Sequence, residues 1–227
     1  MLGDIAQHDR PDIRMFYLRR NSELPLQIAH LRLLLETGLK PERVILEVLP
    51  IELVSLLEQP LATMSVNSRG AIVYRWRPPP EPFNHLMQSS RLALLVWVRS
   101  GRAAGNPSFR PSRLTEELPA SLKQDLAAIF RVVGRLSHQF HVPVTVLLLP
   151  NREQILGSAG YAPQDCQREL CRANTVDCLD TRDLFKNESD KLSLFLPDWH
   201  FSDKANRRVL DALYQHWQQQ TGGSERP

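Results

Sequence analysis

Short, nearly continuous apolar runs alternate along this chain with longer stretches in which apolar residues recur every three or four positions. Ile13-Arg-Met-Phe-Tyr-Leu18 reads as a short strand. Pro25 stands near the start of a helix that carries Ile28, Leu31, Leu34 and Leu35 and closes at Gly38. Val44–Leu49 and Val144–Leu149 are near-continuous apolar runs, each ended by a proline, Pro50 or Pro150. Strands buried on both faces of a parallel sheet have this appearance. Leu122, Leu126, Ile129, Val133, Leu136 and Phe140 mark one face of a long helix. A helix over 163–172 leads to a short strand, Val176–Leu179. The mostly apolar run Leu192–Leu196 follows. The last helix is predicted over 202–219, with Ser202 as N-cap and Ala205, Val209, Ala212, Leu213 and Trp217 on its apolar face.

Residues 51–112 interrupt this regularity. They read as a helix over 51–58, a stiff segment Arg75-Trp-Arg-Pro-Pro-Pro80, a helix over 83–98 and a polar loop over 101–111. The region is predicted to be an insertion or cap on a single domain spanning 1–220, with 221–227 as a disordered tail.

Strands alternating with helices predict an α/β three-layer sandwich around a central parallel sheet, flavodoxin-like in its layering. Ligands in such sheets bind at the carboxyl ends of the strands. The residues after Leu18, Leu49, Leu149 and Leu196 should therefore gather on one edge. They include Asn21, Ser22, Pro50, Glu52, Asn151, Arg152, Asp198 and His200.

At 227 residues the chain is long enough for one substantial core. A net charge of +3, with scattered arginines, provides no basic face for nucleic acid. Cys166, Cys171 and Cys178 lack a second close pair or a nearby histidine. They read as packed thiols, not as a zinc site or a disulfide framework. Leu92–Val98 is the longest apolar stretch, and a spanning helix needs about 20 residues. The first ten residues have neither a basic nor an apolar leader region. The default compartment is the cytoplasm; envelope association is expected if an anchor or signal precedes Met1. Oligomeric state is not legible.

The segment richest in candidate chemistry is Pro197-Asp198-Trp-His200-Phe-Ser202, directly ahead of the last helix. A carboxylate two residues from an imidazole in a short turn can orient it as a general base. The same aspartate could instead cap the helix. Ser22 and Asn21 are read either as nucleophile or oxyanion groups, or as caps of the helix near Pro25. Asn151 and Arg152 are substrate-edge candidates, although a solvated arginine serves the fold equally well.

The order of these features resembles the SGNH (GDSL-type) hydrolase superfamily, and within it the branch of alginate-type O-acetyltransferases. The resemblance rests on Asp198-Trp-His200 before the C-terminal helix, on Leu147-Leu-Leu-Pro-Asn151, and on Val176-Asp-Cys-Leu-Asp180. Leu24-Pro-Leu-Gln27 and Leu39–Leu46 resemble the family's second and third elements. It covers about two-thirds of the chain. It implies an esterase or acyltransferase with a serine nucleophile, His200 as base, Asp198 as its orienter, and a small-molecule or carbohydrate ester as substrate. It implies no metal or organic cofactor. The chain departs from the pattern in two places. Leu2-Gly-Asp-Ile5 has isoleucine where the serine belongs, and the family asparagine would fall near Pro50-Ile51-Glu52. The serine turn is therefore expected upstream of Met1, in a truncated chain. The alternative is a degenerate, inactive fold that binds a glycan or a protein.

Overall fold

In the computed structural model, which describes residues 24–50, 53, 56, 64–66, 72–74, 117–197 and 200–222, the alternation of apolar runs becomes a mixed α/β fold. The elements in chain order are α1 (Leu24–Glu36), β1 (Val44–Val48), β2 (Met64–Val66), β3 (Ile72–Tyr74), α2 (Ala120–Phe140), β4 (Val144–Leu148), α3 (Arg152–Leu156), α4 (Ala162–Ala173), β5 (Asp177–Asp180) and α5 (Asp203–Gly222). Single 3-10 turns cover Arg182–Phe185 and Lys191–Leu194.

The main sheet has three parallel strands in the order β1-β4-β5. Val44 pairs with Val144 and Val48 with Leu148; Thr145 pairs with Asp177 and Leu148 with Asp180. Every residue of β4 is buried, because it lies between two strands and under helices on both faces. Alternate side chains point to opposite faces, and two apolar clusters result. Leu46, Val48, Val144, Val146 and Leu148 pack with Ile28, Leu31 and Leu35 of α1 and Leu122, Leu126, Phe130 and Val133 of α2. On the other face Leu147 and Leu149 meet Ile155, Phe185, Leu194 and the α5 residues Ala205, Val209 and Leu210. Glu47 lies on this second face, opposite Leu147 in register, where burial raises its carboxyl pKa.

Several sequence expectations change. Residues 64–66 and 72–74 form an antiparallel pair within the stretch read as irregular. Ile72-Val73-Tyr74 has the β-branched and aromatic content of a strand, masked in sequence by its shortness. Residues 192–196 are not a strand. Asp190 closes a 3-10 turn by accepting from the Ser193 amide at 3.3 Å, while Ser193 Oγ donates to the Asp190 carbonyl at 2.7 Å. The last helix runs to Gly222, beyond the predicted start of the tail, and Arg43 Nη1 holds Gln220 Oε1 at 2.9 Å. The strand expected at 13–18, the helix at 83–98 and most of the 51–112 insertion lie outside the described residues; Leu53 and Leu56 within it are buried. No helix among the described residues is long and apolar enough to cross a membrane.

Candidate active site

His200 is held by a miniature hairpin. Phe195 and Phe201 form an antiparallel bridge, and the Leu196 amide donates to the His200 carbonyl at 2.8 Å. The Ser202 amide donates to the Leu194 carbonyl, and its hydroxyl to the Ser193 carbonyl, both at 2.8 Å. Beneath the hairpin, the Phe201 ring packs in tilted contact with Phe185 at 5.4 Å and Phe195 at 5.7 Å between centroids. These aromatic rings belong to the same cluster as Leu149 and Ile155. The hairpin is thereby tied to the segment that follows β4, at the carboxyl edge of the sheet. His200 itself is exposed, as are Leu192 and Leu196 beside it.

The first turns of α5 are pinned from below by Glu188. Its Oε2 accepts from Arg208 Nη2 at 2.5 Å and Lys204 Nζ at 3.0 Å. The hydrogen bond from Lys204 is the main reason that this carboxyl titrates below its ordinary range.

Asn151 is the N-cap of α3. Its Oδ1 accepts from the Gln154 amide and Gln154 Oε1 accepts from the Asn151 amide, each at 2.9 Å, a reciprocal capping box. The side-chain oxygen of Asn151 is thus committed to the helix start. Arg152 becomes the first residue of α3, not part of a loop. Behind them Gln154 and Gln164 exchange two hydrogen bonds of 2.9 Å, and Gln164 Nε2 also donates to the Leu149 carbonyl at 3.3 Å. The loop leaving β4 is therefore set by a buried amide network.

Asp180, the acid that ends β5, is saturated by Arg182. Its Oδ1 accepts the Arg182 amide at 3.0 Å and its Oδ2 the guanidinium at 2.7 Å. Arg182 also meets Asp165 at 2.7 Å and lies over the Tyr161 ring. That leaves Asp180 poorly placed to serve an imidazole. Asp198, Asn21 and Ser22 lie outside the described residues, as do Pro50's neighbours Ile51 and Glu52.

The three cysteines are free. A hydrogen bond with Cys178, then burial, pushes the Cys171 thiol far above its ordinary range, and burial raises Cys166. Thiols held in this way are poor nucleophiles. Among the described residues no group of three or more His, Cys, Asp and Glu is arranged to hold a metal.

Among the described residues a carboxylate–imidazole pair lies elsewhere, at the amino edge of the sheet. His216 Nε2 lies 2.8 Å from Asp177 Oδ1, and Thr145 Oγ1 donates to Asp177 Oδ2 at 2.6 Å. A carboxylate only accepts, so the bond to Asp177 needs the proton on Nε2, which then cannot also accept from Gln220 Nε2 at 3.0 Å. Trp217 Nε1 reaches Thr145 Oγ1 at 3.4 Å, and the Arg43 guanidinium lies over the Trp217 ring. Sequence reasoning missed this clasp. The available signals were a threonine inside an otherwise apolar strand and an aspartate opening a short one.

Burial alone would raise the Asp177 pKa, but hydrogen bonds from Thr145, Gln220 and His216 outweigh it, and the net shift is downward from 3.8. A depressed folded pKa contributes stability above the unfolded value that is lost as pH falls through the folded one. Asp177→Asn is expected to cost about 2 kcal/mol at neutral pH. The gap from wild type in urea midpoint should close below the ordinary aspartate value of 3.8. A gap of equal size at pH 7 and in acid would refute the charge-dependent role.

Comparison with protein-family models, with curated proteins and with solved structures gives no match.

Proposed function

We propose that this chain is an SGNH-like α/β domain, a three-layer sandwich, that acts on esters by hydrolysis or acyl transfer. The observation that carries the reading is an exposed imidazole, His200, on a hydrogen-bonded hairpin immediately before a helix that packs on a parallel sheet. In this reading His200 takes the proton of a serine as that serine attacks the acyl carbonyl, and returns it to the leaving oxygen. Asp198, two residues away in sequence, holds the imidazole in the right tautomer. The serine lies outside the described residues; Ser22 is the candidate within the chain. A carbohydrate ester is the substrate class that the family resemblance favours.

A second reading is a catalytically inactive fold that binds a glycan or a protein. Ile5 in the place of the family serine and the commitment of the Asn151 oxygen to a helix cap favour it.

A fluorophosphonate probe separates the two. The enzyme reading expects one covalent serine adduct by intact mass, with the labelling rate falling about 10²–10⁴-fold in His200→Ala. A folded chain that takes no label, or labels equally fast without His200, sinks the enzyme reading and leaves the binding module.

A further inference from the structure

On the face of α2 away from the core, Arg131, Arg135 and His138 recur at helical spacing and therefore lie on one side. With Gly134, Gln139 and Asn174 they line a shallow groove of about 390 Å³ that is open to solvent. The groove lies between α2 and the turn that links α4 to β5, remote in sequence from the His200 hairpin.

Its floor depends on a glycine. A Cβ at Gly134 would stand 2.7 Å from the Asn174 carbonyl oxygen, so any larger residue would push the turn off the helix. Two helix ends meet here, and their carbonyls could repel an anion. Those carbonyls are largely occupied. The Ser137 and His138 carbonyls accept from Val142 and His141, and those of Leu170, Cys171 and Arg172 accept from Asn174, Thr175 and Val176. The groups left to meet a ligand are two guanidiniums, an imidazole and the Gln139 amide, with the Asn174 carbonyl as an acceptor beside them on the floor.

No carboxylate lines the groove. Arg32, Arg182 and Arg208 each meet an acidic side chain, whereas Arg131 and Arg135 meet none among the described residues. Like charges one helical turn apart repel each other. A bound anion would relieve that repulsion, and the planar fork of arginine matches phosphate and carboxylate oxygens in pairs.

We propose that this groove is a binding site for a small polyanion bearing phosphate or carboxylate groups, clamped between Arg131 and Arg135. Neither the ester chemistry nor His200 takes part in it.

Calorimetric titration of the full chain with pyrophosphate, and separately with citrate, tests the site. Saturable one-to-one binding of at least one is expected, and the one that binds identifies the anion class. Arg131→Gln/Arg135→Gln should weaken it by about tenfold or more. Both residues are exposed, and circular dichroism checks that the variant folds. Arg32→Gln, on α1, should bind as wild type. Failure of both anions to saturate, or equal binding by the double variant, overturns the proposal and leaves the arginines as cations that balance the two helix ends.

Discussion

Phe185→Ala is expected to lower stability by about 3–5 kcal/mol, the range for truncating a buried aromatic ring. Phe185 is 1% exposed and packs within the cluster formed by Leu147, Leu149, Ile155, Leu194 and α5. Its ring also meets Phe201 at 5.4 Å, directly under the hairpin that carries His200. The loss therefore has two readouts. Urea unfolding should show the drop in stability. Amide exchange at Leu196 and Ser202, whose hydrogen bonds close the hairpin, should quicken more than exchange in β4. A drop below about 1 kcal/mol would mean that the cluster collapses into the cavity, contrary to a close-packed core. Uniform exchange would mean that the hairpin does not depend on the ring contact.

The second large effect concerns the buried amides. Gln154→Leu is expected to cost about 3 kcal/mol, because it strands several polar groups and each costs about 1–3 kcal/mol when left unpaired. The Asn151 amide loses its acceptor, the Gly160 carbonyl loses a donor at 2.7 Å, and Gln164 loses both bonds to its partner. Both glutamines are 2% exposed, so water does not readily replace the two bonds between them, whereas Gly160 is exposed and its carbonyl can turn to water. Gln154→Leu combined with Gln164→Leu should cost less than the sum of the single changes, since the double variant removes both members of the reciprocal pair. Strict additivity in a double-mutant cycle would show that the two amides do not act as a unit.

The segments with strong periodicity were legible in the sequence. α1, α2, α4 and α5 and strands β1, β4 and β5 lie where spacing and apolar runs predict them. The position of His200 ahead of the last helix was equally legible, because a short loop between elements leaves little freedom. Residues 191–194 misled for a definable reason. Their apolar content imitates a strand, yet Asp190 and Ser193 hydrogen-bond locally and close a turn. Asn151 looked like an edge residue open to substrate, and the residue three positions on, Gln154, instead makes it a cap.

The sequence by itself determined the alternation of elements, the two-sided burial of β4 and the mounting of an imidazole before α5. Each follows from short-range patterns of apolar spacing and turn chemistry. Tertiary structure decided which polar groups meet. The Trp217–Thr145 contact spans 72 residues and the His216–Asp177 pair 39. The groove on α2 likewise depends on Asn174 descending onto Gly134. Periodicity places a side chain on a face of its own element, but only the packing of elements against one another brings its distant partner within hydrogen-bonding distance.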